Sequence, residues 1–281
     1  MDTSKMQALY GLKWNPFTQE VPVEGLHTTS RIESSCFRLE SLVMDGGFAM
    51  VTGDPGAGKS VTLRILADRL SQMRELRVGH IDRPQSGMSD FYREIGMLFG
   101  FTSSVTNRWS TFKALREKWQ SHIETTLFRP VLLIDEVQEM PAMVLSELRI
   151  LGSMNFDSRQ IVTVVLCGDQ RLPERLKSPD LLPLGSRIKT RLRIEPASHE
   201  ELAAMLRTRI DKAGNPTLMT PGLIETLVEH AGGNPRTLLQ TTEELFASAM
   251  SKELRQMDEK LFFDLYPLQE TKPRRALARR A

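Results

Sequence analysis

The chain has 281 residues, 40% hydrophobic and 26% charged, with a formal charge of +2. That balance excludes a disordered or fibrous polymer and allows one large domain, or a core domain with a smaller companion. Two cysteines, Cys36 and Cys167, lie far apart, Cys167 within the apolar stretch 161–167, and both read as reduced core thiols of a cytoplasmic protein, while no run reaches the roughly 18 apolar residues of a membrane span.

In chain order, Ser30 and Glu33 have the spacing of a capping box. Ile32, Cys36, Phe37 and Val43 follow at helical spacing until Gly46-Gly47, so a helix is expected there. Apolar runs at 48–52, 76–81, 131–134, 161–167 and 192–194 read as strands. The gaps between them carry helical patterns such as Phe91, Ile95, Leu98 and Phe112, Leu115, Trp119, Ile123. Such alternation builds a parallel sheet covered by helices on both faces. After Glu195-Pro196 the strand signals stop and four helix starts appear: Ser198 with Glu201, Thr220 before Pro221, Asn234 before Pro235, and Asp258 before Leu261. The expected division is an arm and first helix (1–47), an α/β core (48–196), an all-helical lid (197–266) and a flexible basic tail (267–281). The tail holds Lys272, Arg274, Arg275, Arg279 and Arg280; removing those five charges from +2 leaves −3 on the rest of the chain, so the body is not generally basic.

Gly53-Asp54-Pro55-Gly56-Ala57-Gly58-Lys59-Ser60, followed by Val61, lies between the first core strand and a helical run. In that setting the glycines let backbone N–H groups converge on the phosphates of ATP, Lys59 adds a cation to the same oxygens, and the Ser60 hydroxyl faces Mg²⁺. The run Val131-Leu132-Leu133-Ile134 ends in Asp135-Glu136, which places two carboxylates at the carboxyl end of a buried strand. Asp135 is suited to hold Mg²⁺ and Glu136 to polarise the water that attacks the γ-phosphate.

These motifs, in this order, resemble the AAA+ class of phosphate-loop ATPases over about residues 10–265, implying a parallel-sheet P-loop core with a smaller helical lid. The resemblance implies that Gly232-Gly233-Asn234-Pro235-Arg236 is the lid's sensor 2 element, with Arg236 reaching the γ-phosphate. It likewise makes Arg187, ahead of rivals Arg191 and Arg193, the finger reaching a neighbouring subunit's site, which requires a homo-oligomer. Asp169 or Gln170 takes the sensor 1 position after the fourth core strand, with Asp169 preferred.

The opening Tyr10-Gly11-Leu12-Lys13-Trp14-Asn15-Pro16-Phe17 is similar to the leader of ExeA/GspA-type secretion ATPases and of TniB, TnsC and MuB-type transposition regulators. Because the chain shows no span and ends near the end of the lid, the transposition type is expected. That type implies an ATP-dependent ring or helical filament on duplex DNA, a recruited transposase, and phosphate contacts indifferent to sequence. The DNA-facing window would fall at about 83–118, with Arg108, Thr111, Lys113 and Arg116 as donors. The alternative is an ExeA/GspA-like ATPase acting on a protein partner in secretion or envelope assembly.

Overall fold

A computed structural model of the chain describes residues 3–82, 84–100, 108–125, 128–156 and 158–267. The basic tail, apart from residue 267, and residues 83 and 101–107 of the expected DNA window lie outside the described residues. In chain order the elements are helices α1 (Thr3–Tyr10) and α2 (Ser30–Asp45), strand β1 (Gly47–Gly53), α3 (Lys59–Ser71), β2 (Leu76–Ile81), α4 (Met88–Leu98), α5 (Arg108–Thr125) and β3 (Arg129–Ile134). There follow α6 (Ala142–Gly152), the short hairpin β4 (Ser153–Met154) and β5 (Arg159–Gln160), β6 (Thr163–Gly168), α7 (Arg171–Arg175), α8 (Leu182–Gly185) and β7 (Ile188–Ile194). Four helices close the described chain: α9 (His199–Ala213), α10 (Pro221–Ala231), α11 (Pro235–Ser251) and α12 (Glu259–Leu265).

Five strands pair in parallel in the order β2-β3-β6-β1-β7. Every residue of β1 and β6 is buried, which explains why these strands are continuous apolar runs rather than alternating ones. Successive side chains still point to opposite faces. Phe48, Met50, Leu132, Ile134, Val164 and Leu166 pack on α4, α5 and α6, whereas Ala49, Val51, Val131, Leu133, Val165 and Cys167 pack on α2 and α3. Burial drives the Cys167 thiol's pKa strongly upward and lifts that of Cys36 to about 11, so both thiols stay protonated.

The lid is a third apolar cluster built from α9 to α12, and it also takes in Met6, Tyr10, Leu12 and Phe17. The Tyr10 and Phe17 rings each lie 5.3 Å from the ring of Phe246. By packing, the arm therefore belongs with the lid, whereas α2 belongs with the sheet.

The α9, α10, α11 and α12 caps fall where the sequence places them. Ser198 and Glu201 form the reciprocal box at 3.1 and 2.8 Å, and Thr220, Asn234 and Asp258 accept from Leu223, Arg236 and Leu261 backbone N–H groups. At α2 the cap is one residue earlier than expected. Thr29, in extended backbone, accepts from the Ile32 N–H, and Glu33 pairs with Arg69 at 2.5 Å instead of closing a box. Strand β7 begins at Ile188, not residue 192, because its first half alternates buried and exposed positions on the sheet's edge and so has no apolar run.

Candidate nucleotide-binding cleft

Where β1 ends, the order of strands reverses, and the β1–α3 loop opens at the carboxyl edge of the sheet. Gly58 caps α3 at φ 102°, a left-handed conformation that disfavours any side chain. A Cβ on Gly56 would collide with Asn234 and come within 2.8 Å of the Arg236 Cβ, so the loop's glycines also let the lid sit against it. Lys59 is only 6% exposed; its Nζ donates to the carbonyls of Gly53 and Asp54 at 3.1 and 3.0 Å, which brings the cation over the loop.

The second motif meets the first directly. Ser60 Oγ donates to Asp135 Oδ2 at 2.6 Å, and Asp135 Oδ1 accepts from the Glu136 N–H at 2.9 Å. Glu136 has φ 50°, an unusual left-handed conformation for a non-glycine residue that turns its carboxylate into the cleft. Gln138 donates to that carboxylate and accepts from the Asp169 N–H at 3.1 Å. Ser60 and Asp135 offer hard oxygen ligands side by side, which suits Mg²⁺ completed by phosphate oxygens and water. Among the described residues there is no cluster of three or more His, Cys, Asp or Glu that would form an all-protein cage.

Of the two sensor 1 candidates, Asp169 lines the cleft and Gln170 touches the phosphate loop. The Asp169 carboxylate faces Arg171, whose Nε donates at 2.8 Å, and this pairing holds its pKa below the usual carboxylate range. Gln170 instead donates to the side chain of Asp54 in the phosphate loop.

The lid closes the cleft from above. Asn234 Nδ2 donates to the Pro55 carbonyl at 3.1 Å while its Oδ1 caps α11, and Arg236 projects from that first turn into the cleft lined by Lys59, Ser60, Glu136 and Asp169. On the other side of the loop lies a largely apolar pocket lined by Leu26, Ile32, Val61, Ile194, Met205 and Leu239. Arg31 bridges its rim to Glu201 at 3.0 Å and Glu195 at 3.3 Å, joining α2 to the lid. His27, hydrogen-bonded to Thr208 at 3.1 Å, has its pKa lowered by burial and by the nearby Lys212 charge.

Arg187 is not among the residues lining its own chain's cleft. It precedes β7, and its guanidinium donates to the Pro183 carbonyl. Arg191, its rival, is committed to the carbonyls of Ile188 and Gly185 at 2.9 and 2.7 Å.

The expected DNA donors are corrected in part. Thr111 is 1% exposed and presents no hydroxyl to a duplex. Arg108 is turned onto the buried Glu147, its Nε donating at 3.1 Å, and Arg116 donates to the Ile150 carbonyl at 2.6 Å while lying over the Phe112 ring. Lys113 projects outward, 3.8 Å from Glu117. Helical spacing puts Thr111 and Leu115 on one face of α5, and that face packs on the sheet layer.

Sheet order, lid and cleft define the class: a P-loop protein of AAA+ architecture. Residues 43–176 match the AAA domain family. The chain is related to general secretion pathway protein A of Aeromonas hydrophila, at 30% identity over 234 residues; the match covers 82% of this chain and 42% of that protein, so the chain spans less than half of its relative. Among solved structures, the ADP form of the Aeropyrum pernix ORC2 protein superposes with a TM-score of 0.73 at 16% identity, over 91% of this chain and 72% of that one. Cdc6p of Pyrobaculum aerophilum gives 0.70 at 16% identity, over 86% and 67%. At such identities the likeness is one of fold. No helix among the described residues is long and apolar enough to cross a membrane.

Proposed function

We propose that the chain binds ATP with Mg²⁺ in this cleft and hydrolyses it to ADP and phosphate. The observation that carries the reading is the 2.6 Å contact between Ser60 and Asp135, two residues 75 positions apart in sequence. Residues Gly53 to Val61 wrap the phosphates with backbone N–H groups from the loop and the α3 N-terminus, and Lys59 leaves its carbonyls for the β- and γ-phosphates. Ser60 and Asp135 hold Mg²⁺. Glu136 takes the proton of the attacking water, with Gln138 fixing its rotamer. Arg236 reports the γ-phosphate to the lid, Asp169 takes the sensor 1 role with Gln170 beside it against the phosphate loop, and Arg187 serves the site of a neighbouring copy in a homo-oligomer. Glu136→Gln tests this: ATP should remain bound and uncleaved, and turnover at the wild-type rate would remove Glu136 from the mechanism.

The work done by the cycle, on this proposal, is assembly on duplex DNA and recruitment of a transposase to that target. The outward charge of Lys113 supports it, whereas the leader 10–17 is common to both types and does not separate them. Arg108 and Arg116 would have to leave Glu147 and the Ile150 carbonyl before meeting a phosphate. The second reading, action on a protein partner in secretion or envelope assembly, is favoured by the 30% identity to general secretion pathway protein A. Duplex binding that needs ATP, weakens with salt and ignores sequence supports the first. Hydrolysis untouched by DNA, with co-purification of an envelope protein, supports the second.

A further inference from the structure

Arg209 on α9 is 3% exposed, yet no ion pair joins it to a carboxylate among the described residues. Its Nη1 donates to the carbonyls of Pro16 at 2.9 Å and Thr18 at 3.3 Å, while the enclosed Nε has no hydrogen-bond partner. Arg64, on α3, is placed alike. It donates to the carbonyls of Gln19 at 3.0 Å and Val21 at 2.7 Å, and both arginines line the phosphate cleft. Carbonyl oxygens satisfy donors but do not cancel charge. A guanidinium held away from water without a counter-ion is costly, and a second one nearby raises that cost. Burial and the Arg64 charge together pull the Arg209 pKa down to about 10, so it still carries its charge at neutral pH.

The position of Arg209 indicates what supplies the missing negative charge. It lines both the apolar pocket and the phosphate cleft, whereas Lys59 and Arg236 line only the latter. A ligand with its base in the pocket and its terminal phosphates on the loop must pass Arg209 at the join between base and phosphate chain. We propose that Arg209, backed by the field of Arg64, is a nucleotide-binding residue that meets the α-phosphate of a nucleoside di- or triphosphate. This rests on the cleft being an ATP site and adds to it a contact from the first lid helix, distinct from that of Arg236. The bound anion acts as counter-ion to both arginines. Because one belongs to the lid and one to the core, and both grip residues 16–21, nucleotide charge draws lid, strap and core together.

The test is calorimetric titration of the full chain with Mg²⁺ and ADP, which is not hydrolysed, beside adenosine measured by competition. In Arg209→Met, a chain of similar length without charge, ADP affinity should fall about tenfold or more, adenosine affinity should stay as in wild type, and the unliganded melting temperature should hold or rise. Arg209→Lys should recover part of the ADP affinity. Unchanged ADP affinity in Arg209→Met overturns the proposal, as does an equal loss for ADP and adenosine, which would mark a purely structural strap anchor. Should Arg209→Met fail to fold, Arg64→Met decides: a weaker, less salt-dependent ADP affinity supports the proposal and an unchanged one overturns it. Wild-type protein that takes up no ADP would instead contradict the ATP reading beneath it.

Discussion

The cleft at the carboxyl edge of the sheet and the α5–α6 surface both gather charged side chains, but the two regions use them differently. In the cleft, polar groups project from strand ends and a helix N-terminus, so backbone geometry alone brings Ser60 to within 2.6 Å of Asp135. On α5, two of the cations bend back onto the protein: Arg108 onto Glu147, which is 4% exposed and also accepts from the Tyr92 hydroxyl at 2.5 Å, and Arg116 onto the Ile150 carbonyl. A charge at a strand end faces a ligand by construction. A charge on a helix side can equally serve as counter-ion for something beneath it.

Changing one residue at a time either breaks that contrast or sharpens it. The largest effect belongs to Lys59→Ala, which removes the only lysine lining the cleft among the described residues; ATP affinity should fall by about a hundredfold or more, read by fluorescent-nucleotide titration. Retained affinity would mean the phosphates bind elsewhere. Next is Glu136→Gln, where turnover should drop by about two to four orders of magnitude while binding persists, a split that steady-state and filter-binding assays separate.

Arg108→Ala should cost about 1–3 kcal/mol in denaturant unfolding, because Glu147 loses its counter-charge inside the protein. The double change with Glu147→Gln should restore most of that, since an uncharged amide needs no cation. If Arg108→Ala keeps wild-type stability but loses DNA binding, Arg108 faces outward and the contrast fails. Lys113→Ala should leave stability within about 0.5 kcal/mol.

Arg31→Ala should cost a little, under about 1 kcal/mol, because the pair is partly exposed. Arg31 holds the Glu201 pKa below its ordinary 4.5. A carboxylate with a lowered folded pKa contributes stability in full above its unfolded value and loses it as pH falls through the folded one. Wild type and variant should therefore melt apart at neutral pH and converge in acid; a gap that persists there would assign the effect to packing.

The phosphate loop, the strand ending in Asp135-Glu136, and the lid helices with their caps were legible in the sequence because each rests on local chemistry. Glycine is required at φ 102° at Gly58, a continuous apolar run marks β3, and Asn234 before Pro235 is a cap with a mechanism. The edge strand β7 was half hidden because one of its faces is wet. Arg209, Gln138 and the Gln170–Asp54 contact were not visible, since each depends on which elements pack together rather than on neighbours in the chain. The contacts of Arg108 were hidden for the same reason: Glu147, which accepts from it, sits 39 positions away.

The most direct measurement is calorimetric titration of the full chain with a slowly hydrolysed ATP analogue, with and without Mg²⁺, in wild type and in Asp135→Ala. The account predicts one nucleotide per chain, tightened by Mg²⁺ in wild type, with that tightening lost in the variant. Binding that is absent, or that responds to Mg²⁺ identically in both proteins, would contradict a metal and triphosphate held between Ser60 and Asp135.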